Sequence, residues 1–113
     1  MFKKMRSVAH YTSGEGAMFA GNLNGALIKF KKAVKLVPDN YYYVGQLAEC
    51  YMRLKEYEHS IKQYKSAIFL FDYENNNKKI RLDVFNDSEH KLIKYYLKLK
   101  QNLDCVKSIR NKQ

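Results

Sequence analysis

The groups in this chain that could do chemistry are three histidines, two cysteines and a scatter of carboxylates and lysines. His10, His59 and His90 each lack a second ligand at i+3 or i+4, and no His, Cys and carboxylate set has ligand spacing, so no metal site is expected. Gly14-Glu15-Gly16 resembles part of a phosphate loop, yet it lacks the preceding strand and the later glycine that cradle a phosphate. Gly14 reads instead as a close helix crossing. Glu15 and Glu49 form a further candidate pair. Two carboxylates at a suitable separation can share acid–base work, but neither a nucleophile nor a companion base accompanies them. They read as solvated groups lining a groove. The expectation is a chain with no catalytic residue and no cofactor. Lys91, Lys94 and Lys98 are different: their i, i+3, i+7 spacing puts three cations on one helix face, suited to an acidic ligand or to plain solvation.

The interval from Glu15 to Glu49 is not isolated. At that same interval Ala26, Leu27, Phe30, Ala33, Val34 and Leu36 return as Ser60, Ile61, Tyr64, Ala67, Ile68 and Leu70. Small residues fall on small, aromatic on aromatic and aliphatic on aliphatic. A fixed period of this size marks stacked supersecondary units, none able to bury its apolar face alone. Leu23, Leu27, Phe30 and Val34 follow helical periodicity. Pro38 ends that helix, and Asp39 or Asn40 caps the next. The coarse reading is helices at 7–21, 24–37, 41–54, 57–72, 87–101 and 103–111. A weaker third copy follows at a longer shift, where Tyr51 to Leu54 return as Tyr96 to Leu99 and Ser60-Ile61 as Cys105-Val106. The extra residues lie at about 75–85.

A helical hairpin with this period of about 34 residues, carrying Gly14, Ala26, Phe30, Ala33 and Pro38 in the first unit and Ala48, Tyr51, Ser60, Tyr64 and Ala67 in the second, resembles the tetratricopeptide repeat. The resemblance implies one all-α domain over 1–113, a right-handed α-solenoid of antiparallel helical hairpins, with repeats at about 7–40, 41–74 and 86–113. It departs from the family at His10, Ser13, Ala17 and Asp72. It also implies where function lives, since the first helix of each repeat lines a concave, partner-binding groove. That groove would present Tyr11, Glu15, Met18 and Phe19 from the first unit, Tyr42, Gly45, Gln46, Glu49 and Arg53 from the second, and Lys91, Lys94 and Lys98 from the third. Members that grip chaperone C-terminal carboxylates use two lysines, an arginine and two asparagines. Here Tyr11, Glu15 and Asp87 replace clamp residues, so that ligand is not expected.

Net charge is +10, placed as +5 over residues 1–40, −1 over 41–74 and +6 over 75–113. The excess favours an acidic protein or peptide partner, or nucleic acid contacted through Lys29, Lys32 and Lys35, although the acidic middle unit interrupts a phosphate track. Hydrophobic residues at 46% exclude a disordered chain. No stretch has the length of a membrane span or the form of a signal peptide, and Cys50 and Cys105 fit core thiols, so a cytoplasmic, non-enzymatic adaptor is the expected class. Leu103, Val106 and Ile109 form a final apolar row, expected to be covered by a second copy of the chain, by the partner or by the 75–85 segment, with a homodimer through the C-terminal helices the preferred cover.

Overall fold

The computed structural model describes residues 2–76 and 87–112, and every described element is an α-helix. They are α1 (Phe2–Phe19), α2 (Leu23–Leu36), α3 (Tyr41–Arg53), α4 (Tyr57–Asn76) and α5 (Asp87–Asn111). No strand occurs among the described residues.

The turns within the two hairpins, α1–α2 and α3–α4, are copies of one another at the sequence period. Gly21 has φ +83° and Lys55, its counterpart one period on, has φ +63°. The amide of Asn22 donates to the Ala17 carbonyl at 2.8 Å, and that of Glu56 to the Tyr51 carbonyl at 2.9 Å. Each turn closes with a left-handed residue at the helix end. Glycine takes that conformation freely, whereas Lys55 adopts it against its Cβ. The starts of α2 and α3 are capped by asparagine: Asn22 accepts from the Gly25 amide at 3.0 Å and Asn40 from the Tyr43 amide at 3.1 Å.

Side chains at the repeated positions are the ones that bury. Ala26, Phe30 and Ala33 are fully enclosed, as are Ser60, Tyr64 and Ala67. Ser60 donates its hydroxyl to the Ala48 carbonyl at 2.8 Å, so the polar substitution of the small position is satisfied. Gly14 lies flat beneath the Phe30 ring, where a Cβ would sit 2.7 Å from the ring edge. α3 is the wall between two apolar clusters. Val44 and Ala48 face Ile61, Tyr64, Leu99 and Val106, while Leu47, Cys50 and Tyr51 face Met18, Ala26 and Phe30.

Two boundaries differ from the sequence reading. α4 continues to Asn76 because Asp72, standing where Pro38 ends the equivalent helix, keeps its amide and does not clash with the preceding turn. The helices expected at 87–101 and 103–111 are one helix, α5. Lys100 occupies the position of the left-handed Lys55 but stays helical. Leu99 and Val106, two turns apart on one stripe, both bury against α4, so packing favours continuity. The same register turns Cys105 outward. It is exposed, and only Cys50 is a core thiol, donating to the Leu23 carbonyl at 3.3 Å. Leu99 and Val106 being buried and Leu103 and Ile109 half-buried, a homodimer on this row would gain little from it. The expected insertion falls almost wholly on residues 77–86, outside the described residues.

Candidate functional site

α1, α3 and α5 meet side by side. The Tyr11 and Tyr43 rings lie 4.9 Å apart, the Ser7 hydroxyl sits 3.2 Å from that of Tyr43, and the Tyr95 hydroxyl donates to the Tyr41 carbonyl at 3.3 Å. Tyr95 also packs on Tyr42 at 4.3 Å. This places most of the expected groove residues on one surface, but in three separate groups.

The first group joins α1 to α3. Tyr11 is half-buried against Tyr43 and Phe30, with Gln46 and Glu15 beside its hydroxyl. Burial and the nearby Glu15 carboxylate push its phenol up to about 12, so it is a neutral donor at any physiological pH. The second group joins α3 to α5. Gln46 and Glu49 share a shallow cleft with Lys98, Asn102 and the edges of Tyr64 and Tyr95. Glu49 is held in an exposed i, i+4 ion pair with Arg53 at 3.2 Å. The third group is the row Lys91, Lys94 and Lys98, exposed along α5. The surface therefore runs from aromatic through mixed charge to basic.

The expected residues Met18, Gly45, Phe19 and Tyr42 are placed differently from the rest. Met18 is buried, 8% exposed, in the cluster with Phe30 and Tyr51, because its position on α1 points at α2 and α3. Gly45 is buried at the floor of the α3–α5 cleft, under the Tyr95 hydroxyl and Leu99, since only a residue without a Cβ lets α5 approach α3 there. Phe19, at the last turn of α1, is 96% exposed and belongs to neither apolar cluster. Tyr42 leans on Tyr95 at the start of α3 and opens onto a different cavity. The side chains of residues 87–90, including Asp87 and His90, lie outside the described residues.

That cavity went unread in the sequence. It has a volume of about 800 Å³ and is lined by Val37, Asp39, Asn40, Tyr41, Tyr42, Phe69, Leu70, Tyr73 and Glu74. Phe69 and Tyr73, 67% and 70% exposed, follow i, i+4 spacing on the outer side of α4. That spacing was legible, but nothing in it places α4's last turns beside the start of α3. Among the described residues no group of three or more histidine, cysteine, aspartate or glutamate side chains converges as metal ligands, and no helix is long and apolar enough to cross a membrane. In comparisons with known proteins, no family model matches the chain and no curated protein is similar to it.

Proposed function

We propose that the chain is a non-enzymatic adaptor of the tetratricopeptide type, its two hairpins and final helix forming a right-handed α-solenoid that holds a protein or peptide along the α1–α3–α5 face. The reading rests first on the α3–α5 cleft, where Gln46, Glu49 and Lys98 converge as polar groups above the rims of Tyr64 and Tyr95. The cleft is only about 20 Å³ in volume, so these polar side chains would meet a partner lying across the surface rather than one inserted into it. The repeated turn geometry supports the family assignment, since two hairpins are closed by the same bonds one period apart. The exposed row on α5 steers acidic partners, and the two unpaired thiols fit a reducing compartment.

The test is charge reversal of Lys91, Lys94 and Lys98 to Glu together, followed by capture of partners from the native cell with and without nuclease. Loss of a protein partner at an unchanged melting temperature supports the reading, since the three lysines are exposed. Partner capture that the triple variant leaves untouched overturns the basic-face assignment. Capture that depends on nucleic acid and falls steeply with salt transfers the surface to a nucleic-acid ligand.

A further inference from the structure

α1 carries two rows of side chains on opposite sides. Ser7, Gly14 and Met18 are buried against the rest of the fold. On the other side Phe2, Met5, Ala9, Thr12, Gly16 and Phe19 follow alternate steps of three and four residues, the spacing of a coiled-coil seam. All six are exposed. Phe2, Met5 and Phe19 are 72%, 67% and 96% exposed, an apolar load that no described helix covers. The row is uneven in size. Its ends are large and its middle is small, and at Gly16 a Cβ would meet nothing within 4 Å. A face that lies on lipid needs bulk along its length. The small middle suits another helix instead, which can approach closely there while its own large residues fill the space.

We propose that α1 pairs antiparallel with α1 of a second copy of the chain through this row. A two-fold axis across the middle of the helix matches the row to itself. Phe2 opposes the second copy's Phe19, Met5 fills the space over its Gly16, and Ala9 opposes its Thr12, where the two backbones come closest. Charge sets the direction. Lys3, Lys4 and Arg6 stand in the first turns of α1, and Glu15, its one carboxylate, stands near the end. α1 has 18 residues, a length of about 27 Å. Antiparallel packing separates the two basic clusters by most of that length, well beyond the screening distance of about 8 Å. It also sets each cluster beside the negative end of the other helix dipole. Parallel pairing would crowd the cations of both copies together. The exposed area of the row is about 500 Å² per copy, so the pair covers about 1,000 Å², the lower limit of a specific interface. Tyr11 lies on the side of α1 that meets Tyr43, so the dimer does not occupy the α1–α3–α5 surface.

The experiment is sedimentation equilibrium of the full chain from about 10 µM to about 1 mM, a range suited to an interface of this size, at a salt concentration that screens the net charge of +10. The expected result is a rise from monomer to dimer mass. Gly16→Leu should weaken the dimer by about tenfold or more, because the new side chain takes the space meant for Met5. Its melting temperature should hold or rise, since the position is open and leucine favours helix over glycine. Phe19→Ser, at a side chain too exposed to matter to the fold of one copy, should weaken the dimer as well. Oxidative cross-linking reads the direction, in a Cys105→Ser background that removes the exposed native thiol. A mixture of Met5→Cys and Gly16→Cys chains should link, and neither variant should link to itself. A monomer at every concentration overturns the proposal, and one that binds vesicles of phosphatidylcholine and phosphatidylserine through Phe2 and Met5 gives the face to lipid. Dimerisation that both Gly16→Leu and Phe19→Ser leave unchanged places the interface elsewhere and overturns it too. Met5→Cys chains that link to themselves overturn the antiparallel arrangement.

Discussion

Gly45→Ala should change sign according to what stands at position 95. Alanine in mid-helix is favoured over glycine by about 1 kcal/mol. At Gly45, however, a Cβ would collide with the Tyr95 hydroxyl and press the Leu99 methyl at 3.2 Å. The hydroxyl has little room to retreat. It donates to the Tyr41 carbonyl, and its ring packs on those of Tyr41 and Tyr42. α5 must shift or the bond must break, an overpacking cost of about 1–3 kcal/mol. The net effect in the native background is destabilisation of about 0–2 kcal/mol. Tyr95→Phe alone forfeits one partly buried hydrogen bond, about 1 kcal/mol. In that background the nearest Tyr95-derived atom to the new Cβ is the ring carbon at 3.5 Å, an ordinary contact. The helix preference then dominates, and Gly45→Ala should be neutral or stabilising. Urea unfolding of the four proteins gives the coupling, expected at about 1–3 kcal/mol. Additivity within about 0.5 kcal/mol would show that Tyr95 does not sit over Gly45, and the α3–α5 seam would have to be redrawn.

The repeated turn offers an opposed pair of variants. Lys55→Gly should stabilise by about 1 kcal/mol by releasing a side chain from left-handed backbone, while Gly21→Ala should cost about as much, both read from denaturant midpoints. Alkaline pH should loosen the fold through its tyrosines. Burial raises the phenols of Tyr64 and Tyr95 strongly and that of Tyr11 to about 12, against 10.0 for free tyrosine. The folded state keeps these protons where the unfolded chain gives them up. Stability is therefore complete below pH 10.0 and falls as pH climbs from there towards 12, with phenolate absorbance rising alongside the loss of helix by circular dichroism. Deprotonation of Tyr11, Tyr64 or Tyr95 below pH 10.0, followed through their own ring resonances and without loss of helix, would contradict the burial of these rings. The Lys91, Lys94 and Lys98 reversal completes the set, with binding lost and melting temperature unmoved.

What the sequence disclosed, it disclosed through side chains that must be small or large at a crossing. Ala26, Ala33, Ser60 and Ala67 admit only close helix approach, and Phe30 and Tyr64 fill what lies between, so period and burial carry the same information. The third copy misled for a related reason. Tyr96 to Leu99 repeats the chemistry of Tyr51 to Leu54, but nothing at Lys100 forces the left-handed residue that bends the chain at Lys55, and side-chain similarity is silent about backbone continuity. The side-by-side placement of Tyr11, Gln46, Glu49 and Lys98 was legible in outline, because the repeat puts them on successive first helices. The division of that surface was not, because the inward turn of Met18 and the close approach of α5 over Gly45 depend on where α2 and α5 settle. The aromatic pocket is a meeting of α3's first turn with α4's last two, and no local pattern encodes that meeting.

The position of α3 between the two apolar clusters bears on how the molecule can come apart. Long repeat arrays unzip from an end because each unit leans only on its neighbours. Here α3 gives Val44 and Ala48 to one cluster and Leu47, Cys50 and Tyr51 to the other, so no hairpin can leave with its core intact. Releasing α1 and α2 strips one flank of α3, and releasing α4 and α5 strips the other. The chain is then expected to behave as a single cooperative unit rather than a small array, with the amides of α3 among the last to open, which hydrogen exchange would measure. A ligand that braces either edge of α3 would slow that opening for the whole molecule.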